Sequence, residues 1–205
     1  MGCSISRHCY QWWGLDTADL YSNHLQIAKA LDQSMRKYSL SRKDIFLETK
    51  IRPTDLGYLK CKYAVARFLE ELSTSYIDLV LIHSPDVPPI LSMAPSMMDQ
   101  KVLRSETWRC LQEYHDDGVI KSIGVSNYDE KLLQEVLDLG GTMPQVNQVY
   151  KTPFHKQVKW RYQVPFHQLN FRKVFKRFLQ NTISIYKPTV LLVVSVRARS
   201  SKTKS

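Results

Sequence analysis

Four residues in the first half of this 205-residue chain could together protonate a carbonyl oxygen: Asp16, Tyr21, Lys50 and His83. A phenol has an ordinary pKa of about 10 and is a poor proton donor at neutral pH. A nearby ammonium group stabilises the phenolate, and a carboxylate can hold that ammonium in place. A neutral imidazole can donate a hydrogen bond to the same oxygen. These residue types predict protonation of a carbonyl oxygen while another group attacks its carbon.

The elements that must position these residues alternate between strands and helices from about residue 15 to residue 150. The predicted strands are 45–50, 77–84, 120–127 and 144–149, and the predicted helices are 23–38, 59–74, 105–117 (with Ser105 as N-cap) and 128–139. Strands that are apolar almost throughout are typical of a parallel sheet covered on both faces. Alternating strands and helices indicate βαβ units. Asp44 is predicted to lie in a turn just before its strand.

Polar residues end the successive strands. Because the carboxyl ends of parallel strands share one edge, their side chains are expected to converge. The residues concerned are Asp16, Lys50, His83, Ser126, Asn127 and Gln148, with Tyr21 in the loop after the first strand. Alone, Asp16 could be a cap, Lys50 a solvated strand end and His83 a satisfied core histidine, but their common position favours a shared site. The neutral groups at 126, 127 and 148 suit a carboxamide better than a phosphate.

Composition and charge separate the chain into two parts. The sequence is 43% hydrophobic and 23% charged, as in globular proteins. Residues 1–150 hold 16 basic and 19 acidic residues, whereas residues 151–205 hold 13 basic residues and no acidic one. The apolar run at 190–196 predicts a sixth strand after Pro188. With no long apolar segment and no paired cysteine motif, we expect a cytoplasmic protein in which Cys3, Cys9, Cys61 and Cys110 are reduced.

Five segments resemble the aldo-keto reductases in order and spacing: LDTADLY, IFLETK, YIDLVLIHSP, GVIKSIGVSNYDEKLL and MPQVNQV. The resemblance implies an α/β fold, a partial (β/α)₈ TIM barrel with about five or six parallel strands that lacks the first and last barrel units. It also implies NADPH-dependent reduction of a small-molecule carbonyl substrate, with NADH as the alternative cofactor. By resemblance, Tyr21 is the proton donor, Lys50 and Asp16 tune it, and His83 orients the substrate. Ser126, Asn127 and Gln148 would hold the nicotinamide carboxamide, and no metal is implied.

The chain departs from the family pattern in three places. Only residues 1–14 precede the strand that contains Asp16, Ser84 replaces the aromatic residue that often follows the catalytic histidine, and the resemblance stops after Val149. We therefore predict a divergent N-terminus (1–14), a reductase-like partial barrel (15–150) and a basic divergent tail (151–205). A changed reading frame, a retained intron or an alternative exon would explain both the lost resemblance and the missing acidic residues. The alternative to an active reductase is then a truncated, inactive fragment.

Two further functions have a basis in the sequence. Aromatic and basic residues interleave in the tail, as in proteins that bind single-stranded nucleic acid, although an off-frame translation would be equally basic. The N-terminal MGCSIS fits acylation of Gly2 and Cys3, which would hold the chain at a membrane. We expect no nucleic-acid partner, no membrane partner unless Gly2 and Cys3 are acylated, and a monomer.

Overall fold

The computed structural model describes residues 13–88, 97–151 and 190–194. The strands are β1 (Trp13–Asp16), β2 (Ile45–Ile51), β3 (Leu79–Ile82), β4 (Ile123–Ser126), β5 (Asn147–Lys151) and β6 (Val190–Val194). The helices are α1 (His24–Tyr38), α2 (Tyr58–Glu71), α3 (Met97–Asp116) and α4 (Glu130–Asp138). Short 3-10 turns lie at Asp19–Tyr21, Arg42–Asp44 and Pro53–Asp55.

The six strands form one sheet in the order of the sequence. Strands β1 to β5 pair in parallel, and a helix follows each of β1 to β4. This arrangement confirms the predicted partial (β/α)₈ barrel. The predicted sixth strand is present over Val190–Val194 and pairs antiparallel with β5, so five of the predicted five or six strands are parallel. The carboxyl end of β6 therefore lies at the opposite end of the strands from the carboxyl ends of β1 to β5.

Helix α3 differs most from its predicted extent. It begins at Met97, eight residues before Ser105, so the prediction of Ser105 as the N-cap is wrong. Ser105 lies inside the helix, where its hydroxyl donates to the Lys101 carbonyl at 2.9 Å. A serine can satisfy its hydroxyl in this way against the carbonyl four residues earlier, so its presence alone does not mark a helix start. The other predicted helices agree with the structure to within three residues at each end.

Successive residues of β2 point to opposite faces of the sheet, as strand geometry requires. Leu47 and Ile51 lie on the outer face, in the main apolar core formed with the helices. Phe46 lies on the inner face, in a smaller cluster with Leu79, Leu81 and Val146. Lys50 belongs to the same inner face because it follows Phe46 by four residues. The inner face is therefore apolar at the amino ends of the strands and polar toward their carboxyl ends.

Local capping interactions fix two element boundaries. Asp44 accepts hydrogen bonds from the Ser41 backbone N–H at 2.8 Å and from the Ser41 hydroxyl at 2.5 Å, which confirms the predicted turn before β2. Asp129 caps α4 by accepting from the Leu132 N–H at 2.9 Å. Each cap satisfies a backbone donor that the helical turn leaves unpaired.

Several predictions concern residues outside the described ranges. The acylation pattern at Gly2 and Cys3, the cysteine at position 9 and most of the basic tail lie there, so the division at residues 14 and 150 stays a prediction. Cys61 and Cys110 are described, and both are free and buried. Within the described part of the chain, none of the helices combines the length and apolar character that a bilayer crossing demands.

Candidate active site

Lys50 lies at the centre of the candidate site, on the inner face of β2, and its side chain is only 2% exposed. Its ammonium group forms an ion pair with Asp16 on β1, donates to the Thr17 carbonyl at 3.1 Å and lies 3.4 Å from a Glu48 carboxylate oxygen. Burial works against this charge, but the Glu48 and Asp16 carboxylates outweigh burial and raise the pKa of Lys50. The site therefore holds a stable buried cation.

Tyr21 lies next to this cation, on the 3-10 turn that follows β1. Its ring centroid is 5.9 Å from the Lys50 ammonium nitrogen, within cation–π range. The same ring meets His83 edge to face, with centroids 6.0 Å apart and planes at 89°. Tyr21 is 54% exposed, so a ligand in the mouth of the barrel could reach it.

The turn that carries Tyr21 is held by a buried carboxylate that the sequence analysis did not identify. Asp19 forms ion pairs with Arg52, which follows β2, and with Arg67 on α2, the latter at 2.7 Å. Arg52 also donates to the Asp19 backbone carbonyl at 3.0 Å. Asp19 belongs to the LDTADLY segment, but its arginine partners lie more than 30 residues away, and no local spacing in the sequence points to them.

His83 follows the last residue of β3 and lies beside Tyr21. Its backbone N–H donates to the Ile51 carbonyl at 3.0 Å, and its own carbonyl accepts from the Asn127 side chain at 2.9 Å. Burial, and then the positive charge of Lys50, lower the pKa of His83, while Asp16 opposes this shift. The imidazole is therefore neutral at pH 7 and can donate one N–H. Its Nδ1 atom is buried and has no hydrogen-bond partner among the described residues.

The predicted carboxamide-binding residues lie at the ends of β4 and β5. The Ser126 hydroxyl donates to the Gln148 carbonyl at 2.8 Å. Asn127 adopts a left-handed backbone conformation with φ of 61°, which asparagine tolerates better than most residues. The Gln148 side-chain amide donates to Asp16 at 3.2 Å and to Glu48 at 3.0 Å. The structure thus connects all seven predicted residues through direct contacts.

The chemistry of these side chains fits a carboxamide. The amide N–H groups of Asn127 and Gln148 are directed to other atoms of the site. In the described ranges, no hydrogen bond reaches their side-chain carbonyl oxygens, which can therefore accept from a carboxamide N–H₂ group. The Ser126 hydroxyl, which here donates to the Gln148 backbone carbonyl, becomes the complementary donor when its proton rotates away from that carbonyl.

Glu48 is a second residue of the site that the sequence analysis did not identify. It is the register partner of Asp16 and, like Lys50, lies on the inner face of β2. Burial raises its pKa to about 7, and the nearby Asp16 carboxylate adds to this effect. A signal was present in the sequence: strand residues two apart share a face, so a prediction for Lys50 implies that Glu48 faces the same way.

Among the described residues, one set has donor atoms close enough to one another to hold a metal ion. Atoms of Asp19, His24 and Glu71 lie within 4.8 Å of one another. Both ring nitrogens of His24 are engaged, with Glu71 and with Thr49, each at 2.9 Å. The Asp19 carboxylate already binds two guanidinium groups, and their positive charge would repel a cation. These contacts make the set an ion-pair network that ties α1 and the Tyr21 turn to the sheet.

Comparison with known proteins places this arrangement in a family. Residues 11–170 match the family model described as the aldo/keto reductase family. A Saccharomyces cerevisiae protein described as an uncharacterized oxidoreductase is 37% identical over 144 residues, which are 68% of this chain and 47% of that protein. Human aldo-keto reductase family 1 member C2 is 33% identical over 153 residues, covering 71% of this chain and 47% of its own length.

Solved structures agree with the sequence matches. An aldo/keto reductase from Brucella melitensis superposes with a TM-score of 0.59 at 34% identity, covering 69% of this chain and 49% of that one. A Bombyx mori aldo-keto reductase in complex with NADP gives a TM-score of 0.61 at 26% identity, covering 69% and 45%. The chain spans less than half the length of the first curated relatives it matches. It belongs to the aldo/keto reductase family.

Proposed function

We propose that this chain reduces an aldehyde or a ketone to an alcohol with a nicotinamide cofactor. One observation carries the proposal: a phenol, an ammonium, a carboxylate and a neutral imidazole meet at the carboxyl edge of the parallel strands. The groups are those of Tyr21, Lys50, Asp16 and His83. Family membership supports oxidoreductase chemistry at this edge of the sheet.

Tyr21 is the proton donor in this proposal. Reduction adds a hydride to the carbonyl carbon and a proton to its oxygen, and the proton comes from the Tyr21 hydroxyl. Lys50 lies 5.9 Å from the ring centroid, where its charge stabilises the phenolate that remains. Asp16 holds the ammonium in place through their ion pair. The proton is returned to Tyr21 from solvent, which reaches its exposed side chain.

His83 orients the substrate rather than supplying the proton. Its lowered pKa keeps the imidazole neutral, so it can donate a hydrogen bond to the carbonyl oxygen at neutral pH. The edge-to-face contact with Tyr21 keeps the two side chains directed at the same point. Ser84 follows His83 and offers a small polar group at the mouth of the site. The substrate class in this proposal is a small carbonyl compound.

Ser126, Asn127 and Gln148 would hold the cofactor through its carboxamide. The cofactor, when bound, supplies the hydride. The side-chain carbonyl oxygens of Asn127 and Gln148 provide the acceptors, and the Ser126 hydroxyl provides the donor. A backbone hydrogen bond from the Asn127 N–H to the Gln148 carbonyl, at 3.0 Å, fixes the separation of these two residues. The Bombyx mori relative in complex with NADP supports NADPH as the cofactor, with NADH as the alternative.

The experiment uses the full chain with NADPH and benzaldehyde. Quenching of tryptophan fluorescence measures cofactor binding, and loss of NADPH absorbance measures reduction. We expect Tyr21→Phe to lower kcat by about 10²–10⁴-fold, the range typical of general acid catalysis, while leaving cofactor affinity unchanged. Tyr63→Phe is the matched control, because Tyr63 is exposed on α2 and should leave both measurements unchanged.

Two outcomes would count against the proposal. Full reduction by Tyr21→Phe would remove the phenol from its assigned role. No NADPH binding at millimolar concentration would instead favour the alternative, a chain without reductase activity.

A further inference from the structure

Glu48 is the most deeply buried acid of the candidate site, and neither the family motifs nor the proposed reaction assigns it a part. Its side chain is 2% exposed. Its Oε1 atom lies 3.4 Å from the Lys50 ammonium nitrogen and accepts from the Gln148 amide at 3.0 Å. Because Asp16 is its register partner on β1, the two carboxyl groups face the same ammonium from adjacent strands.

In this geometry, the carboxyl groups of Asp16 and Glu48 both lie next to the single ammonium group of Lys50. With both carboxylates ionised the cluster carries one net negative charge, and with one of them protonated it is neutral. Burial and the neighbouring Asp16 raise the pKa of Glu48 to about 7, so its proton is exchanged near neutral pH. Asp16 is more exposed and keeps the closer contact with Lys50.

We propose that Glu48 is a positioning residue of the reductase site: it competes with Asp16 for the Lys50 ammonium and thereby sets how much positive charge reaches Tyr21. The inference rests on the proposed function and deepens it. The same carboxyl fixes Gln148, because the amide N–H₂ group is shared between Glu48 and Asp16 and its carbonyl oxygen is left for a ligand.

The charged and titratable groups around Glu48 come from four elements. Asp16 faces it from β1 and Lys50 from β2 itself. Tyr21, on the turn after β1, and His83, after β3, lie beside Lys50. On the β5 side, the described contact of Glu48 is with the neutral amide of Gln148. His83 is neutral at pH 7, so the balance of charge at Tyr21 is set by Lys50 and the two acids.

The direction of the effect follows from charge. An ionised Glu48 neutralises part of the Lys50 charge, so less of that charge is available to stabilise a phenolate at Tyr21. A neutral residue at position 48 leaves more of the ammonium charge to act on Tyr21. In Glu48→Gln, Tyr21 should therefore lose its proton at lower pH, and reduction should decline from a lower pH onward.

The decisive measurement needs no catalysis. Ultraviolet difference absorbance follows tyrosinate formation in the full chain without cofactor, and subtraction of the Tyr21→Phe curve isolates Tyr21. We expect the Tyr21 step to move to lower pH in Glu48→Gln, because the Lys50 ammonium then acts without a competing carboxylate at position 48. The control is Glu70→Gln, since Glu70 is exposed on α2, and it should not move the step. An unmoved step in Glu48→Gln overturns the proposal.

Two further readouts separate this proposal from the reductase function. With NADPH and benzaldehyde, the alkaline limb of the kcat profile should shift by the same amount as the tyrosinate step. If the step moves but the wild type reduces no aldehyde, the reductase function fails while the electrostatic link holds. If the wild type is active but Glu48→Gln moves neither the tyrosinate step nor the alkaline limb of the kcat profile, the proposed role of Glu48 is wrong and the reductase function stands.

A wild-type measurement guards against misfolding of the variant. Carbon-13 labelling of the glutamate carboxyls should give one resonance with a midpoint near 7, as the raised pKa of Glu48 requires. Midpoints near the ordinary value for every glutamate would contradict the burial of Glu48 beside Asp16, on which the proposal rests.

Discussion

The two faces of the parallel sheet use the same strands for different purposes, and β2 illustrates both. On its outer face, Leu47 and Ile51 are fully buried against the helices. On its inner face, Glu48 and Lys50 are buried to a similar degree although both can carry a charge. Burial alone therefore does not distinguish the core from the site. The difference lies in what satisfies each side chain: apolar contact on one face, and ion pairs and hydrogen bonds on the other.

From this contrast we predict that side chains on the outer face mainly stabilise the fold, whereas side chains on the inner face mainly form the candidate site. Removing apolar surface from water is favourable wherever it occurs. Burying a charge is costly unless it is paired and hydrogen-bonded. The ion pair of Lys50 with Asp16 and its contact with Glu48 offset this cost without turning it into a large gain. Substitutions on the two faces should therefore differ in size and in their dependence on pH.

The largest effect is expected on the outer face, at Phe68. This residue of α2 is fully buried and packs edge to face on His24, with ring centroids 5.1 Å apart. Phe68→Ala should lower the free energy of unfolding by about 3–5 kcal/mol, as for other buried aromatic residues. Urea unfolding followed by circular dichroism measures this loss.

The matched control on the same helix is Tyr63→Ala. Tyr63 is 75% exposed, and its removal should change stability by no more than about 0.5 kcal/mol. Equal losses at the two positions would show that α2 does not pack on the sheet as described, and the contrast between faces would lose its basis.

On the inner face, the expected effect is smaller and depends on pH. Folding raises the pKa of Glu48 from an ordinary 4.5 to about 7. Between these values the folded chain binds a proton that the unfolded chain has released. The contribution is therefore fully present below pH 4.5 and is lost as the pH rises through about 7. The loss should not exceed about 3 kcal/mol.

Urea unfolding at pH 5 and at pH 8 tests this sign. Glu48→Gln removes the titration, so the variant should lose less stability between the two values than the wild type does. Glu70→Gln, on the exposed surface of α2, should behave as the wild type. An identical loss in Glu48→Gln and in the wild type would contradict the raised pKa.

The sequence predicts those parts of the fold that depend on local pattern. The strand at IFLETK and its end at Lys50 follow from a short apolar run, and parallel pairing brings Lys50 to the same edge as Asp16 and His83. The start of α3 was missed because a serine inside a helix resembles an N-cap. Its hydrogen bond to Lys101 could not be read from composition.

The features that the sequence does not predict depend on contacts between residues far apart in the chain. The direction of β6 depends on which strand it meets, and a parallel or antiparallel partner leaves the same apolar run in the sequence. The ion pairs of Asp19 with Arg52 and Arg67 bring together residues from three elements, so no spacing encodes them. Glu48 is different in kind. The two-residue period of a strand predicts that Glu48 shares a face with Lys50, but the sequence does not predict how deeply Glu48 is buried.

The smallest expected effect tests whether the inner face is as tightly packed as the outer one. Gly124 on β4 has no room for a side chain: an added Cβ would lie 2.5 Å from the Val146 carbonyl oxygen and 2.8 Å from a Leu81 methyl group. Gly124→Ala should cost about 1–3 kcal/mol in urea unfolding, because overpacking forces backbone shifts. Trimming Leu81 to alanine in the same chain should not restore stability, since the carbonyl oxygen belongs to the backbone of the adjoining segment and cannot be trimmed away. Full recovery in the double variant would mean that the Leu81 methyl, and not the approach of the Val146 backbone to β4, limits the space at this position.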